Sequence, residues 1–256
     1  MAQKSAEIAQ VPAVTTQQPG AVNPGQVVWM QPPPPPMGCP PGLEYLTQID
    51  QLLIRQQVEL FELFTGCEMK NKYQITNSLG QQVYFAKEDT DCCTRQCCGP
   101  ARPFEMEITD NTGREVIHLS RPLRCACFCC WCCLQTIEVQ APRGNVVGYV
   151  EQEFYICKPK FTIKDANRQT ILTMTGPICA CRCCADVEFP VLSADGTVPV
   201  GKVTKQWTGL IKEAFTDAEN FGITFPMDLD VKMKAVMLGA VFLIDFMFFE
   251  TQNHNN

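Results

Sequence analysis

The sequence predicts a mainly β protein whose strands close into an antiparallel barrel around a hydrophobic helix near the C-terminus. The first observation is a repeated unit: between residues 73 and 200, five pairs of short alternating segments recur at a spacing of about thirty residues. The second is the turn chemistry between the paired segments, which permits a positive φ or an Asx turn. The third is the apolar run 235–249, because a helix that is apolar on every side must be buried in protein or in lipid.

Each repeated unit predicts a β-hairpin, so the five units make about ten antiparallel strands. A sheet of this size loses its unpaired edges when it closes into a barrel, and the run 235–249 is the candidate to fill the interior. In the first two units, Tyr73 and Ile75 precede the turn 77–80 and Val83 and Phe85 follow it, while Phe104, Met106 and Ile108 precede the turn 110–113 and Ile117 and Leu119 follow it. In the next two, Ile137 and Val139 precede the turn 142–145 and Val147 and Tyr149 follow it, while Phe161 and Ile163 precede the turn 165–167 and residues 171–174 follow it. In the fifth, Val187, Phe189 and Val191 precede the turn 194–196, and Val198 and Val200 follow it.

The N-terminal residues 1–42 predict a disordered tail, because they are rich in Gln, Pro, Ala and Val and carry almost no charge. The tail contains the run Pro32, Pro33, Pro34, Pro35 and Pro36, which favours polyproline II and offers the P-x-x-P pattern typical of SH3 ligands. A plain spacer is the alternative. The folded domain is expected over 43–250, followed by a short tail, 251–256.

Between the tail and the hairpins, the segment 46–63 has apolar residues at Leu46, Ile49, Leu52, Leu53, Val58 and Leu60, with polar residues between them. This pattern predicts an amphipathic helix, with or without a strand at its end.

Length, charge and composition restrict the classes of function. The 256 residues allow one sizeable core and a tail. A net charge of −6 gives no basic field, so nucleic acid is not expected as the main partner. The N-terminus lacks the apolar region of a signal peptide, so we expect a cytosolic body whose 17 cysteines form no disulfide framework. With two histidines and no nucleophile–base constellation, we expect no enzyme.

The acidic stretch 217–228 compares with the calcium loop of an EF-hand, which takes oxygen ligands at positions 1, 3, 5, 7, 9 and 12 and turns at a glycine in position 6. These positions fall on Asp217, Glu219, Phe221, Ile223, Phe225 and Asp228, with Gly222 at the turn. The two phenylalanines and the short aspartate predict weak Ca²⁺ binding, toward ~10⁻⁴ to 10⁻³ M. A helix over 210–215 that ends in an acidic loop is the alternative.

The apolar run 235–249 is open to two interpretations. Its fifteen residues rise roughly 22 Å as a helix, short of the ~30 Å hydrocarbon core, and Asp245 lies inside it, so a helix enclosed by protein is one interpretation. The other is a membrane span. Lys232 and Lys234 precede the run and no Lys or Arg follows it, which would leave the N-terminus in the cytosol.

Fourteen cysteines fall in three clusters, at 92–98, 125–133 and 179–184. The middle cluster is interleaved with Phe128 and Trp131 and follows Arg121 and Arg124, which favours S-acylation at a membrane, where two or more acyl chains are needed for stable anchoring. Zinc or another thiolate-bound metal in the outer clusters is one alternative, although structural zinc prefers C-x₂₋₄-C pairs. Unmodified thiols are the other.

A weaker signal lies in 201–210, where Lys202 and Lys205 stand beside Trp207. A receptor-read import signal is one interpretation, and the end of a strand is the other.

At this point the residues resemble a known family. From residue 40 to residue 250 the chain is similar to the phospholipid scramblases, most closely to their type 1 and type 2 members, through PPGLEYLTQIDQLLI, EDTDCCTRQCCGPARPF, RPLRC, CCLQTIE, PKFTI and EAFTDAENFGITFPMDLDVKMKAVMLGAVFLIDFMFFE. The resemblance implies a tubby-like barrel around a hydrophobic helix. It also implies calcium-dependent, ATP-independent movement of phospholipids between leaflets, by a type II membrane protein with a long cytosolic N-terminal part.

The resemblance also assigns sites. It places the calcium segment on 217–228, a non-classical nuclear import segment on 201–210, and palmitoylation on the central cysteines. Phe128 and Trp131 stand where the family's palmitoylation motif has its first cysteine and its proline, so the sites that carry over are Cys129, Cys130, Cys132 and Cys133. Gln206 replaces a histidine of the import segment, and the proline-rich tail has no PPxY element.

Two functions follow. In the first, calcium occupies the acidic stretch, the terminal segment rearranges or self-associates in the bilayer, and lipid headgroups cross along a polar path. In the second, the protein is a palmitoylated adaptor with the helix buried inside its barrel. It sits at the cytosolic face of the plasma membrane, binds SH3 proteins, and enters the nucleus through an importin when it is not palmitoylated.

Overall fold

The structure is a computed structural model that describes residues 27–57, 70–124, 133–155, 157–177, 186–206 and 220–250. The described strands are β1 (Gln51–Gln57), β2 (Lys72–Asn77), β3 (Gln82–Asp89), β4 (Phe104–Thr109), β5 (Glu115–Arg121), β6 (Thr136–Gln140), β7 (Val146–Glu153), β8 (Lys160–Asp165), β9 (Thr170–Thr175), β10 (Val187–Ser193), β11 (Pro199–Gln206) and β12 (Asn220–Thr224). The helices are α1 (Cys92–Cys98) and α2 (Val231–Ile244), with 3₁₀ turns at Glu44–Gln48 and Gly99–Ala101 and a π-helical turn at Asp245–Phe249.

The strands form one closed antiparallel barrel in which each strand pairs with its neighbours along the chain, and β1 pairs with β12 to close the ring. The five predicted hairpins are β2–β3, β4–β5, β6–β7, β8–β9 and β10–β11. The predicted fold class, a mainly β closed barrel with a C-terminal helix, is confirmed.

Each hairpin turn contains one residue in the left-handed region, and the strand register shifts beside the turn. A type I turn followed by such a residue produces a bulge that adds one residue to one strand. The bulge shifts the register of the second strand: Ile75 pairs with Tyr84, and Tyr84 and Ala86 are buried together with Val83, whereas the predicted Phe85 is only partly buried. Likewise, Val150 rather than Tyr149 faces the interior on β7. The residues with positive φ are Gly80, Gly113, Gly144, Arg168 and Gly196.

Two strands lie outside the five predicted hairpins, β1 and β12. The helix expected over 46–63 is wrong for Gln51–Gln57, which forms β1, while residues 58–63 lie outside the described part of the chain. β1 pairs with β2 on one side and with β12 on the other, and Leu52 and Ile54 point into the core. Strand pairing over a long sequence separation therefore overrides the local helical pattern.

The N-terminal boundary also differs from the expected position. Met30 is buried, its N–H donates to the Gln82 carbonyl at 2.8 Å, and the Gln82 N–H donates to the Val28 carbonyl at the same distance. The described part of the predicted tail, 27–42, therefore packs against β3. Residues 1–26 lie outside the description.

The helix α2 occupies the interior of the barrel. Every residue from Met233 to Ile244 is buried, and the ring of Phe242 lies 5.0 Å from the ring of Tyr73 on β2. The helix and the wall approach closely at Gly239, where a Cβ atom would lie 2.8 Å from Val139 Cγ2. Of the two interpretations of 235–249, the structure shows the helix enclosed by protein. Among the residues it describes, no helix combines the length and the apolar character that crossing a bilayer requires.

The first turn of α2 is fixed by Lys234, which is fully buried. Its Nζ donates to three backbone carbonyls, those of Leu46 at 2.9 Å, Ile49 at 2.9 Å and Met227 at 2.7 Å. The buried charge is thereby hydrogen-bonded, as burial requires. The sequence analysis used Lys234 to predict the orientation of a membrane span. In the structure it joins the helix to the segment before β1 and to the turn after β12.

The barrel has two different ends. Five short turns, 78–81, 110–114, 141–145, 166–169 and 194–198, lie at one end, which we call the hairpin end. The other strand connections begin and end at the opposite, connection end: 58–71, 90–103, 122–135, 154–159, 176–186 and 207–219. Because α2 starts after β12 at the hairpin end, it runs through the interior and finishes at the connection end.

Replacement of Lys234 by methionine should lower the free energy of unfolding by at least ~2 kcal/mol, because three buried carbonyls lose their donor. Lys232, two residues earlier and exposed, is the matched control, and Lys232→Met should change stability by less than about 0.5 kcal/mol. Urea denaturation of both variants measures the difference. Equal effects would contradict the structural role of Lys234.

Candidate functional site

The described cysteines other than Cys39 lie in the connections at the connection end. Every cysteine of the chain except Cys39 falls in one of the six connections defined above. Those that the structure describes there are Cys92, Cys93, Cys97, Cys98, Cys133 and Cys157, and all are free thiols. The end that carries the long connections is therefore the end that carries the thiol chemistry.

The first cluster lies on α1. Asp91 caps this helix, its Oδ1 accepting from the Thr94 N–H at 2.9 Å, and Cys92, Cys93 and Cys97 are exposed. Within the described residues, no group of three or more His, Cys, Asp or Glu side chains could hold a metal ion. Metal binding by the outer cysteine clusters stays an alternative.

Of the predicted palmitoylation sites, Cys133 is half-buried at the start of the segment that leads into β6. Cys129, Cys130 and Cys132 lie outside the described residues. Palmitoylation of these four cysteines stays a prediction.

The calcium segment is divided by β12. Asp217 and Glu219 lie outside the described part, whereas Phe221, Ile223 and Phe225 are buried and Asp228 is exposed in the turn before α2. An extended strand advances about 3.3 Å per residue, and β12 is paired on both sides. The backbone over 220–224 therefore does not coil around one ion, and the comparison with an EF-hand loop is wrong for this part. Binding of calcium by the acidic side chains stays a prediction.

The import segment occupies β11. Lys202 forms an ion pair with Glu188 on the outer wall at 2.6 Å. Lys205 turns the other way and places its Nζ 4.3 Å from the centroid of the Phe249 ring. Trp207 lies outside the described residues. The structure thus separates the two lysines onto opposite faces of a strand that is paired on both sides, and import stays a prediction.

In the proline run, Pro32, Pro34, Pro35 and Pro36 are exposed and Pro33 is buried. An SH3 domain would thus find most of the run accessible. SH3 binding stays a prediction.

A groove of about 440 Å³, which was not predicted, lies on the outer wall over β5, β6 and β7. Arg124 lines it at the connection end, where its Nη1 donates to the Leu134 carbonyl at 2.6 Å. Farther along, the Arg168 guanidinium lies 3.9 Å from the Tyr149 ring centroid and forms an ion pair with Glu151 at 2.5 Å. A lining with both charges can hydrogen-bond a polar ligand, and Arg124 in this lining directly precedes the central cysteine cluster in the sequence.

A second feature that was not predicted is a buried charged network at the C-terminal end of α2. Arg102 forms two hydrogen bonds with Glu88, at 2.7 and 2.9 Å, and an ion pair with Glu250 at 2.6 Å. One turn earlier, the Tyr73 hydroxyl donates to Asp245 Oδ2 at 2.8 Å. Asp245, the acid inside the apolar run, therefore bonds to the barrel wall.

Burial and charge act in opposite directions on this network. Burial works against the charge on Arg102, but the hydrogen bonds to Glu88 and the charge of Glu250 outweigh it and raise the pKa of Arg102. Burial also raises the pKa of the Glu250 carboxyl, even though Arg102 opposes that shift. Burial lowers the pKa of Arg121, whose guanidinium donates to Gln135, to about 10. The network therefore fixes the end of the helix, although burial of the charged Glu250 carboxylate is unfavourable.

The raised pKa of Glu250 predicts a pH dependence of stability. Between the ordinary carboxyl value of 4.5 and the raised value, the folded chain keeps a proton that the unfolded chain has released. The stability contribution is complete below 4.5 and is lost as the pH rises through the raised value. Glu250→Gln should therefore flatten the decline of unfolding free energy between the ordinary and the raised pKa of this carboxyl, as measured by urea denaturation across a pH series. Glu188→Gln, which removes an exposed carboxylate, should keep the wild-type profile. A wild-type profile in Glu250→Gln would contradict the assignment.

Comparison with known proteins identifies the family of this chain. Residues 30–251 match the family model described as Scramblase. The chain is 66% identical over 235 residues to phospholipid scramblase 2 of Bos taurus, covering 92% of this chain and 80% of that protein. It is 64% identical over 228 residues to phospholipid scramblase 1 of Rattus norvegicus, covering 89% and 68%. For phospholipid scramblase 1 of Homo sapiens the identity is 63% over 225 residues, covering 88% and 71%. No solved structure matches the chain.

A closed antiparallel barrel around an enclosed helix is the class of protein that the structure defines. The chain belongs to the scramblase family.

Proposed function

We propose that this chain moves phospholipids between the two leaflets of a membrane, in both directions, with calcium and without ATP. The observation that carries the proposal is the Scramblase match over 30–251, together with three relatives named phospholipid scramblase that are at least 63% identical. The matched region is the barrel with its helix, so the activity is proposed for this unit.

The enclosed helix restricts the mechanism. If α2 moved into lipid, its own side chains would stay out of water, but the barrel lining would be exposed. Each large apolar side chain costs about 1.5 to 3 kcal/mol when exposed, so a dozen lining residues would cost on the order of 20 kcal/mol. This exceeds the usual stability of a domain, about 5 to 15 kcal/mol. We therefore propose that α2 remains in the barrel while lipids cross.

On this proposal the protein attaches to the cytosolic face of the plasma membrane through acyl chains on Cys129, Cys130, Cys132 and Cys133. Cys133 belongs to the connection end, so the chains would hold that end against the bilayer. Two or more chains give stable attachment. Local thinning of the bilayer beside the attached barrel would then lower the barrier for a headgroup, at a modest cost per Å of mismatch.

Calcium is proposed to bind carboxylates of the acidic stretch, Asp217, Glu219 and Asp228, in a geometry other than an EF-hand loop. Oxygen ligands of this kind suit Ca²⁺, and few ligands give weak affinity, toward ~10⁻⁴ to 10⁻³ M. Calcium-linked self-association would enlarge the thinned area.

Purified protein in vesicles with a fluorescent phospholipid tests the activity, by leaflet-specific chemical quenching. With millimolar calcium and no ATP, quenching should exceed that of protein-free vesicles. Asp217→Asn combined with Asp228→Asn should shift the calcium response to higher concentration, while Asp195→Asn, in an exposed turn, should not. No flipping above protein-free vesicles would refute the proposal, and an unchanged calcium response in the double variant would refute the calcium site.

A second function is favoured by the enclosed helix itself, which leaves the described chain without a spanning helix. The protein would then be a palmitoylated adaptor. The exposed prolines at 32 and 34–36 would bind SH3 proteins, and the segment with Lys202, Lys205 and Trp207 would bind an importin for nuclear entry of the non-acylated form. Stable vesicle attachment without flipping would support this function over lipid movement.

A further inference from the structure

We propose that one edge of the connection end docks onto an anionic lipid bilayer by inserting aromatic and aliphatic side chains, independently of acylation. The docking edge consists of residues 122–124, 133–135, 154–155 and 157–159. The inference rests on the proposed function only in placing the protein at a membrane.

The two connections that form the docking edge are neighbours. They flank β6 and β7, which pair along their length. At the rim, the Gln152 N–H donates to the Gln135 carbonyl at 2.8 Å, and the Gln135 N–H donates to Gln152 Oε1 at 3.0 Å. The connection before β6 and the connection after β7 are thus held side by side, and their exposed side chains form one surface.

Large apolar side chains on this edge face solvent. Leu123 is 63% exposed, Phe154 is 54% exposed and Tyr155 is 53% exposed. Phe154 and Tyr155 follow β7 directly, so the rigid barrel wall fixes their position. Aromatic side chains are enriched where protein meets the headgroup region, because their rings are apolar and tyrosine keeps a polar tip for water.

The charge of the edge complements an anionic surface. Neither 122–135 nor 154–159 contains an aspartate or glutamate anywhere in its sequence, whereas Arg124 and Lys158 lie within them. Each of the other four connections contains at least one acid. Basic side chains near anionic lipids attract the protein to the surface, and nearby acids would oppose this. The charge pattern therefore selects this edge of the connection end and indicates a tilted orientation.

The positions of two thiols are consistent with this tilted orientation. Cys133 and Cys157 both belong to the docking edge, and Cys157 is exposed beside Tyr155 along the chain. An acyl chain on Cys133 must enter the bilayer close to its sulfur. Docking through the edge would bring the Cys133 thiol to the membrane surface before acylation.

Vesicle binding by the full-length, non-acylated chain tests the docking edge, with vesicles of phosphatidylcholine containing phosphatidylserine. Phe154→Ser combined with Tyr155→Ser should lower the partition coefficient about tenfold or more, because two inserted rings are lost. The matched control is Leu79→Ser combined with Val198→Ser, two apolar side chains at the hairpin end that are 81% and 56% exposed, and it should stay within about twofold of wild type. Thermal unfolding confirms that both double variants are folded.

A charge variant gives a second measurement. Lys158→Glu should weaken binding about fivefold or more on vesicles with phosphatidylserine and leave binding to pure phosphatidylcholine unchanged. Equal losses in the two double variants, full binding by Phe154→Ser with Tyr155→Ser, or no binding by the wild-type chain would each overturn the docking edge. Wild-type protein that docks through this edge but flips no lipid would refute the proposed function and leave the docking edge intact.

Discussion

The burial of one apolar helix inside a closed barrel is the constraint on which the rest of the structure depends. A barrel of about eight strands is filled by its own side chains, and the twelve strands found here enclose a wider interior. The helix α2 fills that interior, and Gly239 and Gly148 allow the helix and the wall to approach closely. Lys234 fixes the helix at one end, and Arg102 with Glu88 and Glu250 fixes it at the other.

This arrangement gives the molecule a packed barrel and one end at which the longer connections begin and end. The short turns and the start of α2 occupy the hairpin end, where a bulge beside each turn sets the strand register. The longer connections begin and end at the opposite end, so their sequences can carry cysteines, aromatic residues and charges without disturbing the paired strands. Function is commonly placed on such loops, which a rigid scaffold positions. Attachment to a membrane at that end therefore requires no rearrangement of the core.

The sequence predicted the five hairpins well, because each combines alternating residues with turn chemistry that acts locally. It missed β1, whose leucines also fit a helix, and β12, whose alternating Phe221 and Ile223 were hidden by the acidic residues around them. Both strands exist because they close the ring with each other, which no local pattern shows. The buried partners of Lys234 and Glu250 are equally non-local. The capping residue Asp91 before α1, by contrast, was a visible helix start that could have been used.

The central claim is that α2 stays inside the barrel when the protein acts on a membrane. A photoreactive phenylalanine analogue at position 242 tests it directly, because the Phe242 ring lies 5.0 Å from Tyr73 on β2. Irradiation of the membrane-bound, calcium-loaded protein during lipid flipping should cross-link position 242 to the peptide that contains Tyr73, with little lipid attached. Cross-linking mainly to phospholipid, with loss of the Tyr73 product, would show that the helix leaves the barrel and would contradict the account.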